Sequence, residues 1–194
     1  TRGPLLEGPP SRVTRSLDPN PYSLITSRVS GIDMMENLVN LASKRGWRVF
    51  LLGGKPGVAE EAVNHLIHQY PNTLVHWDSG PWLDDNGKPS NKTEAKKEKE
   101  TIKRINEFKP QLLFVGFGAP KQEKWAARNM ANLNANCIMV VGGAFDYISG
   151  RIVRAPKFMR ETGFEWLFRL IVQPSRIKRQ FSLLRFIWLV ITHK

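Results

Sequence analysis

The most constraining feature of this sequence is a strand–glycine–helix pattern that occurs three times. The longest copy is Leu112–Trp125 (LLFVGFGAPKQEKW), and the shorter ones are Val49–Gly57 (VFLLGGKPG) and Ile138–Asp146 (IMVVGGAFD). A run of apolar and β-branched residues is typical of a strand buried on both faces. The glycines that follow allow backbone conformations closed to other residues. Since parallel sheets bind ligands at the carboxyl ends of their strands, the three copies predict one shared crevice.

The periodicity of the remaining chain predicts the elements around this crevice. Apolar residues three and four apart predict a first helix that ends at Gly46. The order β-α-β-α-β-α-β then predicts an α/β fold, a Rossmann-like parallel sheet flanked by helices. The last strand, over residues 137–142, is expected to be buried from its start at Cys137. One cysteine allows no intrachain disulfide, which fits a reducing compartment.

The two ends of the chain differ from this centre. Residues 1–27 contain five prolines and no periodicity, so we expect an irregular leader there. The chain begins with Thr, and we expect it to be a fragment or a processed product. Residues 28–155 are predicted to form the Rossmann-like domain, and residues 156–194 a basic helical appendage.

The appendage carries most of the excess positive charge. The formal net charge is +12, and residues 151–194 hold ten Lys/Arg against two Glu. Such an end predicts an anionic partner: phospholipid, nucleic acid or a diphosphate. Phe181–Ile191 (FSLLRFIWLVI) is too short to span a bilayer but suits a helix in a membrane interface. A helix packed on the domain or against a second subunit, in a homo-oligomer, is the alternative; the charge favours the membrane.

Arg169, Arg176 and Arg179 are spaced seven and three residues apart in this appendage. Helical geometry places them on one face, where three guanidinium groups form a strong diphosphate clamp. The plainer alternative is a solvated basic face.

Polar residues in the crevice loops are candidates for ligand binding. Gly116-x-Gly118 is not a dinucleotide fingerprint, since Lys121 stands where the third glycine would be. Lys121 and Gln122 open a helix, where a cation, free amides and a side-chain amide suit a phosphate and a sugar or base. Asp146 follows a strand and a double glycine. The alternatives are an ordinary solvated first turn and a capping aspartate.

The sequence predicts neither a metal site nor a cofactor. His65 and His68 share a helix, but no third ligand accompanies them. The motifs of a nucleophile elbow, a P-loop and a Cys-x-x-Cys redox site are all missing from the sequence.

In combination, five runs resemble the WecG/TagA/CpsF family of bacterial glycosyltransferases over about residues 27–181. These runs are SRVSGIDMMENL, VFLLGGKPGVAEEAV, LLFVGFGAPKQEKW, VVGGAFDYISGRIVRAPKFM and GFEWLFRLIVQPSRIKR. The resemblance implies transfer of an N-acetylmannosamine-type sugar from UDP to N-acetylglucosamine on undecaprenyl diphosphate, with inversion and without a metal. It also implies a protein peripheral to the cytoplasmic face of the bacterial plasma membrane, in teichoic acid or related cell-wall synthesis.

The resemblance also implies site residues. Gln122 matches a donor-site glutamine and Arg28 an arginine of the active-site pocket, while Arg169, Arg176 and Arg179 match arginines that engage the lipid diphosphate. With the crevice loops, the expected nucleotide-sugar-binding set is Arg28, Gly53, Gly54, Gly116, Gly118, Lys121, Gln122, Gly143 and Asp146.

One departure from the family pattern concerns catalysis. The family's Thr-x-Asn motif and its Pro-Asp-Gly segment, which holds the proposed base aspartate, are not found in residues 1–194. The catalytic residue is therefore unknown, and little turnover is expected of this chain. Asp33 opens a helix, where a structural role is the simpler account.

A non-catalytic basic α/β module that binds nucleic acid or anionic lipid is the alternative function. It would bind DNA or RNA in a salt-sensitive way and show no preference for UDP. The scarcity of aromatic residues among the basic ones speaks against RNA, so nucleic acid is not the expected partner.

Overall fold

The computed structural model of this protein describes residues 30–156, 158–159, 162, 164–172, 188–189 and 192, with backbone alone at 165, 166 and 169. The strands are β1 (Arg48–Gly53), β2 (Leu74–Asp78), β3 (Leu112–Gly116) and β4 (Cys137–Val140). The helices are α1 (Gly31–Arg45), α2 (Val58–Gln69), α3 (Lys92–Phe108), α4 (Lys121–Asn129), α5 (Ala144–Ile148) and α6 (Glu165–Val172). A single turn of 3₁₀ helix, Met130–Asn132, follows α4. The predicted leader and most of the appendage lie outside the described residues.

The four strands form one parallel sheet in the order β2-β1-β3-β4. In register, Leu51 of β1 lies opposite Trp77 of β2 and Phe114 of β3, and Leu113 of β3 lies opposite Ile138 of β4. This confirms the predicted α/β fold with a parallel sheet flanked by helices.

Helices cover both faces of the sheet, which explains why β1 and β3 are continuous apolar runs. On one face, Val49 and Leu51 pack with residues of α1, α2 and α5. On the other face, Phe50 and Leu52 pack with residues of α3 and α4. Every residue of β3 is buried.

The expectation that Cys137 begins a buried strand is wrong. Cys137 is exposed, and the other residues of β4 are half-buried or exposed. The reason is position in the sheet: β4 is paired with β3 on one side and is the last strand of the order among the described residues. An apolar run predicts a strand but not whether that strand is central or at an edge.

The chain order sets where the crevice lies. After β1 the chain crosses through α2 to β2, and after β3 it crosses through α4 to β4 on the opposite face. Adjacent strands whose connections leave to opposite faces form a topological switch point, and ligands bind there at the carboxyl ends. In this sheet the switch point lies between β1 and β3.

Candidate functional site

The loops that follow β1, β3 and β4 meet at the carboxyl edge of the sheet. The Gly54 N–H donates to the Gly116 carbonyl oxygen at 3.0 Å, which joins the first two loops at the switch point. The Val141 N–H donates to the Val115 carbonyl oxygen at 2.9 Å and extends the ladder into the third loop. The structure therefore brings together the three strand–glycine copies, as the sequence predicted.

The glycines of this edge have two different roles. A Cβ on Gly116 would lie 2.7 Å from the Phe145 ring, and one on Gly53 would lie 2.9 Å from the Phe117 ring. These two glycines make room for packed aromatic side chains. Gly118, in contrast, has φ +83° and open space where its side chain would be, so its backbone borders the crevice.

Gln122 lies between the second and third loops. It is 5% exposed, and its Oε1 accepts the N–H of Gly118 at 3.2 Å and the N–H of Gly142 at 3.0 Å. Its Nε2 donates to the Glu123 carboxylate at 2.9 Å. The side chain is therefore held within the wall of the crevice.

Lys121 is the first residue of α4, and its side chain contacts the neighbouring loop between β2 and α3. Its ammonium donates to the Leu83 carbonyl oxygen at 2.8 Å and stands 3.5 Å from the Asp85 carboxylate. Two further cations of α4 act in the same way: Lys124 donates to the Asp85 carbonyl and Arg128 to the Gly87 carbonyl. The cation that the sequence assigned to a phosphate thus anchors a loop in this structure.

Asp146 is half-buried in the first turn of α5, a helix that begins directly after Gly143. The Asp146 carboxylate interacts electrostatically with the Arg151 guanidinium. That guanidinium donates to the Glu61 carboxylate at 2.5 and 2.6 Å and to the Pro56 carbonyl oxygen at 3.2 Å. The hydrogen bond from Arg151 lowers the pKa of Glu61, and the same bond raises the pKa of Arg151. The pair fastens the segment after α5 to the start of α2.

A second arginine of that segment binds α1. Arg154 forms ion pairs with Asp33 at 2.5 Å and with Glu36 at 3.8 Å. The Asp33 carboxylate thus anchors the segment that leads towards the C-terminal residues.

The Glu61–Arg151 pair gives a testable pH dependence. Because the pKa of Glu61 is lowered in the fold, the pair stabilises the protein above the ordinary glutamate pKa and is lost as the pH falls through the lowered one. In Arg151→Gln the pKa of Glu61, followed by carboxyl-carbon NMR, should rise towards that of an ordinary glutamate. Arg154→Gln is the matched control and should leave it unchanged. An equal Glu61 pKa in wild type and Arg151→Gln would contradict the pairing.

Three residues of this edge were missed by the sequence analysis. Asp78 is 4% exposed at the end of β2, where its carboxylate accepts from the Gly80 N–H at 2.8 Å and from Arg104 at 2.7 Å. The signal was an aspartate at the end of a strand and two residues before a glycine. Phe117 and Phe145 gave no signal, because only the fold shows which glycines they face.

The remaining predicted site residues are not placed. Arg28, Arg176 and Arg179 lie outside the described residues, and of Arg169 only the backbone in α6 is described. Within the described ranges, we find no group of three His, Cys, Asp or Glu side chains that could hold a metal ion. Nor does any helix in that part of the chain have the length and apolarity to cross a membrane.

The chain matches a known protein family. A family model described as the glycosyl transferase WecG/TagA/CpsF family matches residues 22–194. The match covers the sheet, all the loops of the crevice and the C-terminal segment.

Proposed function

Because the chain belongs to the WecG/TagA/CpsF family of glycosyltransferases, enzymes of cell-envelope polymer synthesis, we propose that its crevice binds a UDP-sugar donor. The donor sugar is of the N-acetylmannosamine type, and the acceptor is N-acetylglucosamine linked to undecaprenyl diphosphate. The observation that carries the proposal is the meeting of three glycine loops at the switch point between β1 and β3.

The edge of the sheet offers groups for a diphosphate. The N–H groups of Ala119 and Gly143 make no hydrogen bond within the described part of the chain. Each residue directly follows a glycine whose N–H donates to Gln122, Gly118 in the first case and Gly142 in the second. Lys55 is an exposed cation in the first loop. Backbone amides and a cation stabilise negative charge as it develops on a leaving diphosphate. The carboxylate of Asp146 completes the proposed donor set among the described residues.

The chemistry is an inverting displacement without a metal ion. The acceptor hydroxyl oxygen forms a bond to the anomeric carbon of the donor sugar while the bond from that carbon to the UDP oxygen breaks. The hydroxyl proton passes to a carboxylate acting as general base, and such assistance contributes about 10²–10⁴-fold to the rate. No residue of this chain is assigned as that base.

The C-terminal residues are proposed to hold the protein on the cytoplasmic face of the plasma membrane. The side chains described there include exposed apolar ones: Phe158, Phe164, Ile171, Val172 and Trp188. Apolar side chains that alternate with arginines suit the interface of an anionic bilayer. We propose that Arg169, Arg176 and Arg179 bind the diphosphate of the lipid-linked acceptor.

Calorimetric titration tests the donor assignment. The chain should bind UDP and UDP-N-acetylmannosamine more tightly than ADP at the same ionic strength. Turnover is measured separately, as UDP release in the presence of a soluble N-acetylglucosaminyl diphospholipid analogue. Equal affinity for UDP and ADP, together with salt-sensitive binding of DNA, would favour a nucleic-acid-binding module instead.

A further inference from the structure

The side chain of Gln122 joins two loops that are distant in the sequence. Its Oε1 accepts from the N–H of Gly118 and from the N–H of Gly142, which are four and twenty residues away. Two backbone donors require an oxygen between them, so the orientation of the side-chain amide follows from its partners. One side chain therefore sets the spacing between the loops after β3 and β4.

Burial limits what else this side chain can do. Only 5% of Gln122 is exposed, and its Nε2 already donates to Glu123. Both hydrogen-bonding ends are engaged, and the acceptor end faces the protein backbone. A polar side chain with so little exposed surface contributes more to the shape of a site than to contact with a ligand.

We infer that Gln122 is a positioning residue, which acts on the donor by holding Gly118 and Gly142 at a fixed spacing. This deepens the proposed function and rests on it, because the ligand held between the two loops is the diphosphate of the UDP-sugar. We call the two hydrogen bonds to Gln122 Oε1 the Gln122 clamp. Without the clamp, binding must first order both loops, and the apparent affinity falls in proportion to the fraction of molecules in which the loops are correctly arranged.

Two substitutions separate positioning from direct contact. Gln122→Met keeps the length and approximate volume of the side chain but removes the acceptor. Gln122→Glu keeps an acceptor oxygen for the two amides but removes the Nε2 donor. Hydrogen exchange at the Gly118 and Gly142 amides reads the clamp without any ligand, and the Gly54 amide, which donates to Gly116, is the internal control.

The clamp predicts opposite results for the two variants. In Gln122→Met the Gly118 and Gly142 amides should exchange about tenfold faster than in wild type, because each loses its acceptor, while Gln122→Glu should stay within about threefold. UDP affinity should fall about tenfold for Gln122→Met. The carboxylate of Gln122→Glu adds a negative charge beside Glu123 and the diphosphate, so this variant is compared with wild type by amide exchange alone. The Gly54 amide should be unchanged in both.

Several outcomes would overturn the inference. Wild-type exchange at both amides in Gln122→Met would show that no clamp exists. Wild-type exchange in Gln122→Met together with a loss of UDP affinity would show that the side chain contacts the donor directly. If wild type does not bind UDP at all, the proposed function fails, while the exchange measurement still decides whether the clamp exists.

Discussion

Replacing Trp125 by alanine is expected to lower the free energy of unfolding by about 3–5 kcal/mol, as for other buried aromatic side chains. Trp125 of α4 is fully buried in the core on the α3 and α4 face of the sheet. Its Nε1 donates to the Glu98 carboxylate at 2.8 Å, and its ring packs against Phe117 with centroids 5.5 Å apart. Because Phe117 belongs to the loop after β3, the cavity would also loosen the crevice.

Urea-induced unfolding measures this loss, and the chain provides its own control. Trp82 is 69% exposed on the loop between β2 and α3. Trp82→Ala removes the same side chain and should change stability by no more than about 0.5 kcal/mol. Similar losses for the two variants would contradict the assignment of Trp125 to the core.

Neutralising Arg169, Arg176 and Arg179 together should have the largest effect on membrane binding. Each arginine near an anionic surface contributes about 1 kcal/mol, so the triple glutamine variant should partition onto vesicles containing anionic lipid about 100-fold more weakly. Vesicle sedimentation at fixed salt measures the partition coefficient. On neutral vesicles, wild type and the triple variant should have similar partition coefficients.

The matched control removes the same charge elsewhere. Lys92, Lys96 and Lys99 are exposed on α3, and their replacement by glutamine lowers the net charge equally. If both triple variants lose the same affinity, the effect is one of net charge alone. If neither loses affinity, the C-terminal residues pack on protein, and sedimentation equilibrium then shows whether they join two copies of the chain.

The sheet and its helices follow from the sequence because their signals are local. Continuous apolar runs predicted β1 and β3, and apolar residues spaced three and four apart predicted α1 and α2. Burial within the sheet is not local. Cys137 opens an apolar run like the others, yet its strand is the last of the order among the described residues, and strand order decides burial.

The sequence predicted the position of the crevice better than it predicted the contacts of the polar side chains there. Glycines after strands located the loops, and the structure joins them through Gly54 and Gly116. The use of each polar side chain depended on partners far along the chain. Lys121 meets the Leu83 carbonyl, thirty-eight residues away, and Arg151 meets Glu61, ninety residues away. Residue type and spacing predict a cation at a helix start but not the acceptor it finds.

The central claim is that a uridine nucleotide binds where the three glycine loops meet, and backbone amide NMR tests it most directly. Titration of the full chain with UDP should shift the amide resonances of Gly54, Gly118 and Gly143, with one common dissociation constant. The amides of α3, such as those of Lys99 and Lys103 on its exposed face, should not move. Shifts confined to α3, or no shift at saturating UDP, would contradict the account.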